Sequence, residues 1–227
     1  MKVAFCTQFL GDKPYDKFVE SLVASVKLIE EAGYEHFYLQ EVNCPYISAA
    51  RAKSLRNALD KGADIIIFLD YDVAWKPEDL LTLIKAEGDV VSGTYRKKIE
   101  GEPVYMGTLE LGPTNLPIRR EDGALQAYFI PAGFLKITRE GANRFAREYP
   151  ELLFGETLSP SIDLFNHGAI DNVWYGEDYA FSKRWREKCG KIWLLPDLDI
   201  DHYRGEECYA GNFHKYLLEY TDEKETV

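Results

Sequence analysis

The sequence predicts an α/β fold: a single domain on a mostly parallel central sheet, flanked by helices and carrying a small antiparallel section. Three observations predict it. The first two-thirds of the chain alternate strand and helix patterns. The run Ile65-Ile66-Ile67-Phe68-Leu69 is apolar throughout, as a central strand covered on both faces must be. No linker, internal repeat or low-complexity segment divides the 227 residues, a length that suits one sizeable core.

Taken in order, residues 3–8 read as a first strand, and residues 15–31 as a helix with Phe18, Leu22, Val26 and Ile29 at helical spacing and Gly33 at its end. Residues 36–42 form a second strand, completing a βαβ beginning. A second helix over about 49–61 leads into the apolar strand over 64–69. Pro77 opens a third helix, with Glu78 and Asp79 where the helix dipole favours acids, and residues 89–95 give a fourth strand. The texture then changes. Residues 101–137 are rich in Gly, Pro and short β-like runs, with Arg119-Arg120-Glu121-Asp122-Gly123 as a hairpin tip, and supply the antiparallel section. Helices return over 138–148 and 176–189, the latter closed by Gly190, and residues 192–195 form a late strand. Residues 1–220 thus make one domain, and 221–227 a polar tail expected to fray.

Composition narrows the function classes. A hydrophobic fraction of 46% with 14% aromatic residues is globular, and 15 tyrosines exceed what a core needs, which suits a ring-lined cleft. The net charge of −11 and pI near 4.9 argue against broad binding to nucleic acid or anionic membranes. The chain enters a strand at once, without a cleavable signal, and holds no apolar stretch of the roughly 18 residues a span requires, so a cytoplasmic location is expected. Cys6, Cys44, Cys189 and Cys208 form no metal or redox spacing and are expected to be reduced and mostly buried.

Three constellations carry chemistry. Asp70-Tyr71-Asp72 closes the apolar strand and so emerges at the carboxyl edge of the sheet, where open α/β folds bind ligands. Two carboxylates so spaced suit a hard divalent cation such as Mg²⁺ or Mn²⁺ bridging to phosphate. Before it, Ser48 stands where it would cap the second helix, placing Arg51 in the first turn. There the dipole disfavours a cation unless an anion is bound or an acid pairs with it. The second constellation, Glu177-Asp178, follows Trp174-Tyr175-Gly176 and opens a helix. Acids are ordinary in a first turn, but aromatic faces beside a carboxylate also suit a sugar ring and a general base. In the third, Asp197-Leu198-Asp199-Ile200-Asp201-His202, alternation puts the three aspartates on one side and His202 on the other.

These elements, in this order, resemble the nucleotide-sugar glycosyltransferases of the GT-A fold, the DxD-containing, family-2-like group. The match runs through Cys6-Thr7-Gln8, Arg51, Asp70-Tyr71-Asp72-Val73, Val91-Ser92-Gly93-Thr94-Tyr95, Ile130-Pro131-Ala132-Gly133-Phe134-Leu135, Gly176-Glu177-Asp178 and Ile200-Asp201-His202. The resemblance implies transfer of a sugar from a nucleoside-diphosphate donor, most simply UDP-linked, to an acceptor hydroxyl, with Mn²⁺ or Mg²⁺ on the diphosphate. It implies Asp72 as metal ligand, Asp70 on metal or ribose, and His202 as a third ligand. Thr7, Gln8, Arg51 and Tyr71 would line the nucleotide, and Gly133 would admit the donor sugar to the backbone. Asp178, with Glu177 as competitor, would be the base of an inverting transfer. Donor sugar, acceptor and stereochemical course stay open.

Two other readings compete. A metal-dependent nucleotidyltransferase acting on a sugar phosphate also sets carboxylates and a cation against phosphates, and Gln8-Phe9-Leu10-Gly11-Asp12-Lys13 is a weak form of its loop. A non-catalytic nucleotide-sugar-binding domain would keep the fold alone. DNA as acceptor, through Arg96-Lys97-Lys98 and Arg119-Arg120, is disfavoured by the overall charge.

Overall fold

Hydrophobic patterning builds two apolar clusters, one on each face of a central sheet. The computed structural model describes residues 1–11 and 13–225, with side chains through residue 219. In chain order it forms β1 (Lys2–Phe9), α1 (Asp16–Glu31), β2 (Glu35–Val42), α2 (Ile47–Asp60), β3 (Ile65–Leu69), β4 (Val73–Trp75), α3 (Pro77–Lys85) and β5 (Val90–Gly93). There follow β6 (Thr108–Leu109), β7 (Leu125–Phe129), β8 (Phe134–Thr138), α4 (Arg139–Glu148), β9 (Leu153–Phe154), β10 (Ser161–Ile162), β11 (Gly168–Ile170) and β12 (Val173–Tyr175). The last elements are α5 (Glu177–Lys188), β13 (Ile192–Leu195), β14 (Ile200–Arg204), β15 (Glu207–Tyr209) and α6 (Phe213–Glu225).

The central sheet has eight strands in the order β2-β1-β3-β8-β5-β13-β7-β6. β1 is parallel to β2 and β3, and β13 to β5. The other pairings are antiparallel, so that only β7 and β8 run against the rest. The expected antiparallel section does not stand apart from the sheet. It threads β8 between β3 and β5, where Phe134, Leu135 and Ile137 are fully buried.

β3 shows why both faces are covered. Ile66 and Phe68 enter the cluster that Leu55 and Ala58 of α2, Phe145 of α4, and Phe181 and Trp185 of α5 complete. Ile65, Ile67 and Leu69 enter the opposite cluster, with Phe18 and Ile29 of α1 and Leu80 and Leu83 of α3. Each such large apolar side chain contributes roughly 1.5–3 kcal/mol by leaving water. Local signals agree with the elements: Thr138 accepts from the Gly141 N–H as the cap of α4, and Pro77 opens α3. Lys136, buried on β8, donates to the carbonyl of Ala86 at the end of α3, and burial lowers its pKa to about 8.

β4, β14 and β15 make a separate antiparallel ribbon in which His202 pairs with Val73. The last helix was not anticipated; it runs to Glu225, into the stretch expected as a tail, and residues 226–227 lie outside the described residues. Cys6 and Cys189 are buried, but Cys44 is half-buried and Cys208 exposed, because Cys208 lies on the short, solvent-facing β15. Among the described residues no helix is long and apolar enough to cross a membrane.

Candidate active site

The carboxyl edge of β3 gathers most of the expected residues. Asp70 and Asp72 follow β3, Gly133 precedes β8, Glu177 and Asp178 open α5, and β14 returns beside β4 to bring His202 back to Asp72. The Tyr203 N–H donates to the Asp72 carbonyl at 2.8 Å, fixing that return.

Arg51 organises the centre. Its side chain is 2% exposed, and it donates from Nη2 to Asp70 Oδ1 at 2.9 Å and from Nη1 to Glu177 Oε1 at 3.1 Å. Its guanidinium lies 5.0 Å from the centre of the Phe165 ring. Burial opposes the charge, yet Asp70 and Glu177 outweigh it and raise the pKa above its ordinary value. The expected cap does not form. α2 starts at Ile47, its N-cap is Tyr46, and Ser48 is buried inside the first turn. Arg51 therefore sits beyond that turn, and two carboxylates of the chain itself pair with its terminal nitrogens, while its Nε is buried without a hydrogen-bond partner.

Asp178 is enclosed beside this pair. Its Oδ1 accepts from the Tyr179 N–H at 2.8 Å, and burial, with Glu177 adjacent, raises its pKa to about 6. A carboxylate with such a pKa has the proton affinity that base catalysis near neutral pH requires. Glu177 is committed to Arg51, which separates the two acids that the sequence left as competitors.

Gly133 has a reason within the fold itself to lack a side chain. A Cβ there would collide with the Tyr95 hydroxyl and the Asp70 carboxylate. Its N–H donates to the Tyr95 hydroxyl at 3.2 Å, and its carbonyl accepts from the Asp70 N–H at 2.9 Å. Tyr95 is fully buried, with its pKa raised by burial and then by Asp70, Asp178 and Asp72, and its ring meets that of His202 edge-on at 4.7 Å.

The metal-ligand set is only partly assembled. Among the described residues no group of three His, Cys, Asp or Glu side chains is gathered to hold a metal ion. Asp70 is turned to Arg51, whereas Asp72 and His202 face each other, Oδ1 to Nε2, at 3.9 Å. His202 Nδ1 lies 2.8 Å from the Arg96 carbonyl, which accepts only from a protonated Nδ1 and, in the neutral ring, leaves Nε2 with a free lone pair toward Asp72. That tautomer is the one a metal ligand needs. One carboxylate and one imidazole fit a divalent cation that takes its remaining ligands from phosphates and water. Lys98 Nζ meanwhile pairs with Asp72 Oδ2.

Of the residues expected at the nucleotide, Thr7 and Gln8 lie at the end of β1. Gln8 Nε2 donates to Ser54 Oγ at 3.1 Å, while Gln8 Oε1 and Thr7 Oγ1 are buried without a hydrogen-bond partner. Unsatisfied buried polar atoms are uncommon and mark strain or an absent partner. The Tyr71 ring packs 6.0 Å from Phe9 and 5.8 Å from Tyr15, and burial followed by Asp72 raises its pKa. Trp174 is 73% exposed on β12, and its ring lies 6.3 Å from that of His167, edge-on.

Sequence reasoning did not assign roles to Tyr95 and Lys98. Tyr95 stands just past β5 at the same sheet edge as Asp70, which was a usable signal; Lys98 was seen only as part of a basic run. Of the basic residues, Arg120 pairs with Asp122 and stacks on Trp193 at 4.5 Å, so it is not a free cation for nucleic acid. A cavity of about 560 Å³ lies on the Asp199 and Asp201 side of β14, lined also by Lys17, Trp75 and Asn212, and holds none of the expected site residues.

Among solved structures, the chain is similar to GalNAc-T7 in complex with UDP, GalNAc and Mn²⁺, with a TM-score of 0.52 and 13% identity over 90% of this chain and 44% of that one. The chain has a GT-A-like fold. Weaker likenesses within the same fold are the catalytic domain of Drosophila beta1,4galactosyltransferase 7 with xylobiose, TM-score 0.48 and 13% identity, covering 85% of this chain and 64% of that one. TarS from S. aureus in complex with UDP-GlcNAc gives a TM-score of 0.45 and 14% identity, covering 86% and 56%. The chain thus spans between 44% and 64% of the length of these GT-A structures. It matches no protein-family model and no curated sequence.

Proposed function

We propose that this protein is a metal-dependent glycosyltransferase that moves a sugar from a nucleoside-diphosphate donor, UDP-linked, to an acceptor hydroxyl. The observation that carries the reading is the Arg51 bridge. It joins the Asp70 end of β3 to the Glu177 start of α5, so that donor-side and base-side carboxylates share one edge of a GT-A-like sheet.

In this reading Thr7 and Gln8 offer their unpartnered oxygens to the nucleotide, and Tyr71 lies along it. Asp72 and His202 hold Mn²⁺ or Mg²⁺, which when bound neutralises charge on the departing diphosphate. Asp178 accepts the proton of the acceptor hydroxyl as that oxygen bonds to the anomeric carbon, while the carbon–oxygen bond to the diphosphate breaks and the electron pair leaves with the phosphate. Arg51 holds Asp70 and Glu177 in place and leaves Asp178 as the free base. The exposed Trp174 face supports an acceptor sugar ring. The GalNAc-T7 structure contains UDP, GalNAc and Mn²⁺, which makes UDP and Mn²⁺ the first pair to test here.

The test is calorimetric titration of UDP, with and without Mn²⁺, into wild type and Asp72→Ala. Mn²⁺ is expected to tighten UDP binding to wild type and not to the variant; equal binding in all four cases sinks the metal–diphosphate model. Release of UDP from UDP-sugars separates this reading from nucleotidyl transfer, which would release pyrophosphate.

A further inference from the structure

We propose that Lys98 guards the cation position: its ammonium occupies the charge place on Asp72 that a divalent ion would take, and its side chain must swing away before the ion binds. This rests on the reading of Asp72 and His202 as a cation site.

The geometry has three parts. Lys98 Nζ pairs with Asp72 Oδ2, while the other oxygen, Oδ1, faces His202 Nε2 at 3.9 Å. Both side chains are mostly enclosed, Lys98 at 25% and Asp72 at 15% exposure, so the ion pair is not a solvated surface contact. The backbone around Lys98 is pinned. The Arg96 carbonyl accepts from His202, the Lys98 carbonyl accepts from Arg204 Nη1 at 3.2 Å, and the Lys97 N–H donates to the Val104 carbonyl at 2.7 Å.

Only the four-carbon stem of Lys98 is therefore left to move. A lysine suits such a role, since its charge is a compact point on a flexible chain and needs no fixed fork geometry. With Lys98 in place Asp72 is neutralised, and the cation site is closed without rearranging His202. Once displaced, the ammonium is free to pair with a phosphate oxygen, so a donor bound with the cation would offer it a new partner and make loading of the two cooperative.

The experiment measures Mn²⁺ binding to the full chain without nucleotide, by electron paramagnetic resonance of the free ion. Wild type, Lys98→Met, Lys98→Arg and the double variant Lys98→Met with Asp72→Asn are compared. Lys98→Met keeps the stem and removes the charge, and is expected to bind Mn²⁺ roughly tenfold more tightly, the equivalent of about 1.4 kcal/mol. Lys98→Arg is expected to bind as wild type does, and the double variant to lose the gain. A gain of threefold or more that Asp72→Asn abolishes supports the guard. A gain below threefold, with UDP binding still dependent on Mn²⁺ and Asp72, overturns the guard and leaves the proposed function standing. UDP binding insensitive to Mn²⁺ in every variant overturns both, and its loss in Lys98→Met would then mean that the lysine stands in for the ion.

Discussion

Arg51 Nη1 donates to Glu177 Oε1 at 3.1 Å, joining α2 to the first turn of α5 across 126 positions of sequence. Its other terminal nitrogen holds Asp70, so one buried guanidinium balances two carboxylates. Removing it strands both acids at the sheet edge. For a fully buried pair that costs about 3–5 kcal/mol; with the carboxylates 28% and 29% exposed, Arg51→Met is expected to cost about 2–3 kcal/mol. Thermal unfolding followed by circular dichroism should show a fall in Tm of about 4–10 °C, and adding Asp70→Asn and Glu177→Gln should recover most of it. A change under about 1 °C for Arg51→Met would remove the bridge from the account.

Asp178 gives a pH signature with a definite sign. Burial and the neighbouring Glu177 raise its pKa from the ordinary 3.8 to about 6, so folding favours the protonated form. The associated stabilisation is complete below the unfolded value and is lost as pH rises through about 6. Asp178→Asn, which keeps the site neutral, is expected to be about 1–2 kcal/mol more stable than wild type at pH 7.5, with the difference fading toward pH 4. Activity should run the opposite way. Transfer by wild type should climb as pH passes through about 6, and Asp178→Asn should lose a factor of about 10² or more at pH 7.5. Equal stability of the two proteins at both pH values would contradict the enclosed carboxyl.

Gly133 is expected to tolerate no side chain, because Tyr95 and Asp70 already fill the space. Gly133→Ala should destabilise by about 1–3 kcal/mol, the usual range for overpacking. The same change in a Tyr95→Phe background should cost less, since the hydroxyl that meets the new methyl group is gone. Urea unfolding of the four proteins measures that coupling, and strict additivity would mean that the collision is relieved elsewhere.

What was legible in the sequence follows from how far each signal reaches. β3 declared itself by an unbroken apolar run, and Asp70 and Asp72 by ending it, so the sheet edge was found without coordinates. The alternation through Asp201 and His202 put the histidine on its own side of a strand, yet the return of that strand to Val73 depends on β4, three residues long and too short for any period to show. The sequence leaves Arg51 open between a bound anion and a paired acid, because its partners lie 19 and 126 positions away, where local spacing carries no information. The same holds for Lys98 and Asp72, brought together by a loop that His202 and Arg204 pin from β14. Gly133 stands out in the sequence by its type, but the tyrosine and aspartate that occupy the place of a methyl group there come from distant positions and only packing reveals them.

Trp174 separates binding from stability. It is 73% exposed on β12, just before the glycine that leads into Glu177 and Asp178, so its ring contributes little to the core. Trp174→Ala is expected to change stability by less than about 0.5 kcal/mol, as surface substitutions do. If the ring supports the acceptor sugar, the variant should keep the proposed metal-dependent affinity for UDP, while the KM for a saccharide acceptor rises by roughly tenfold, the scale of about 1 kcal/mol for a lost aromatic contact. Phenylalanine at the same position should restore most of the loss, because the apolar face rather than the indole N–H makes the contact. An unchanged KM in Trp174→Ala, measured with an acceptor that wild type uses, would move the acceptor off the exposed Trp174 face.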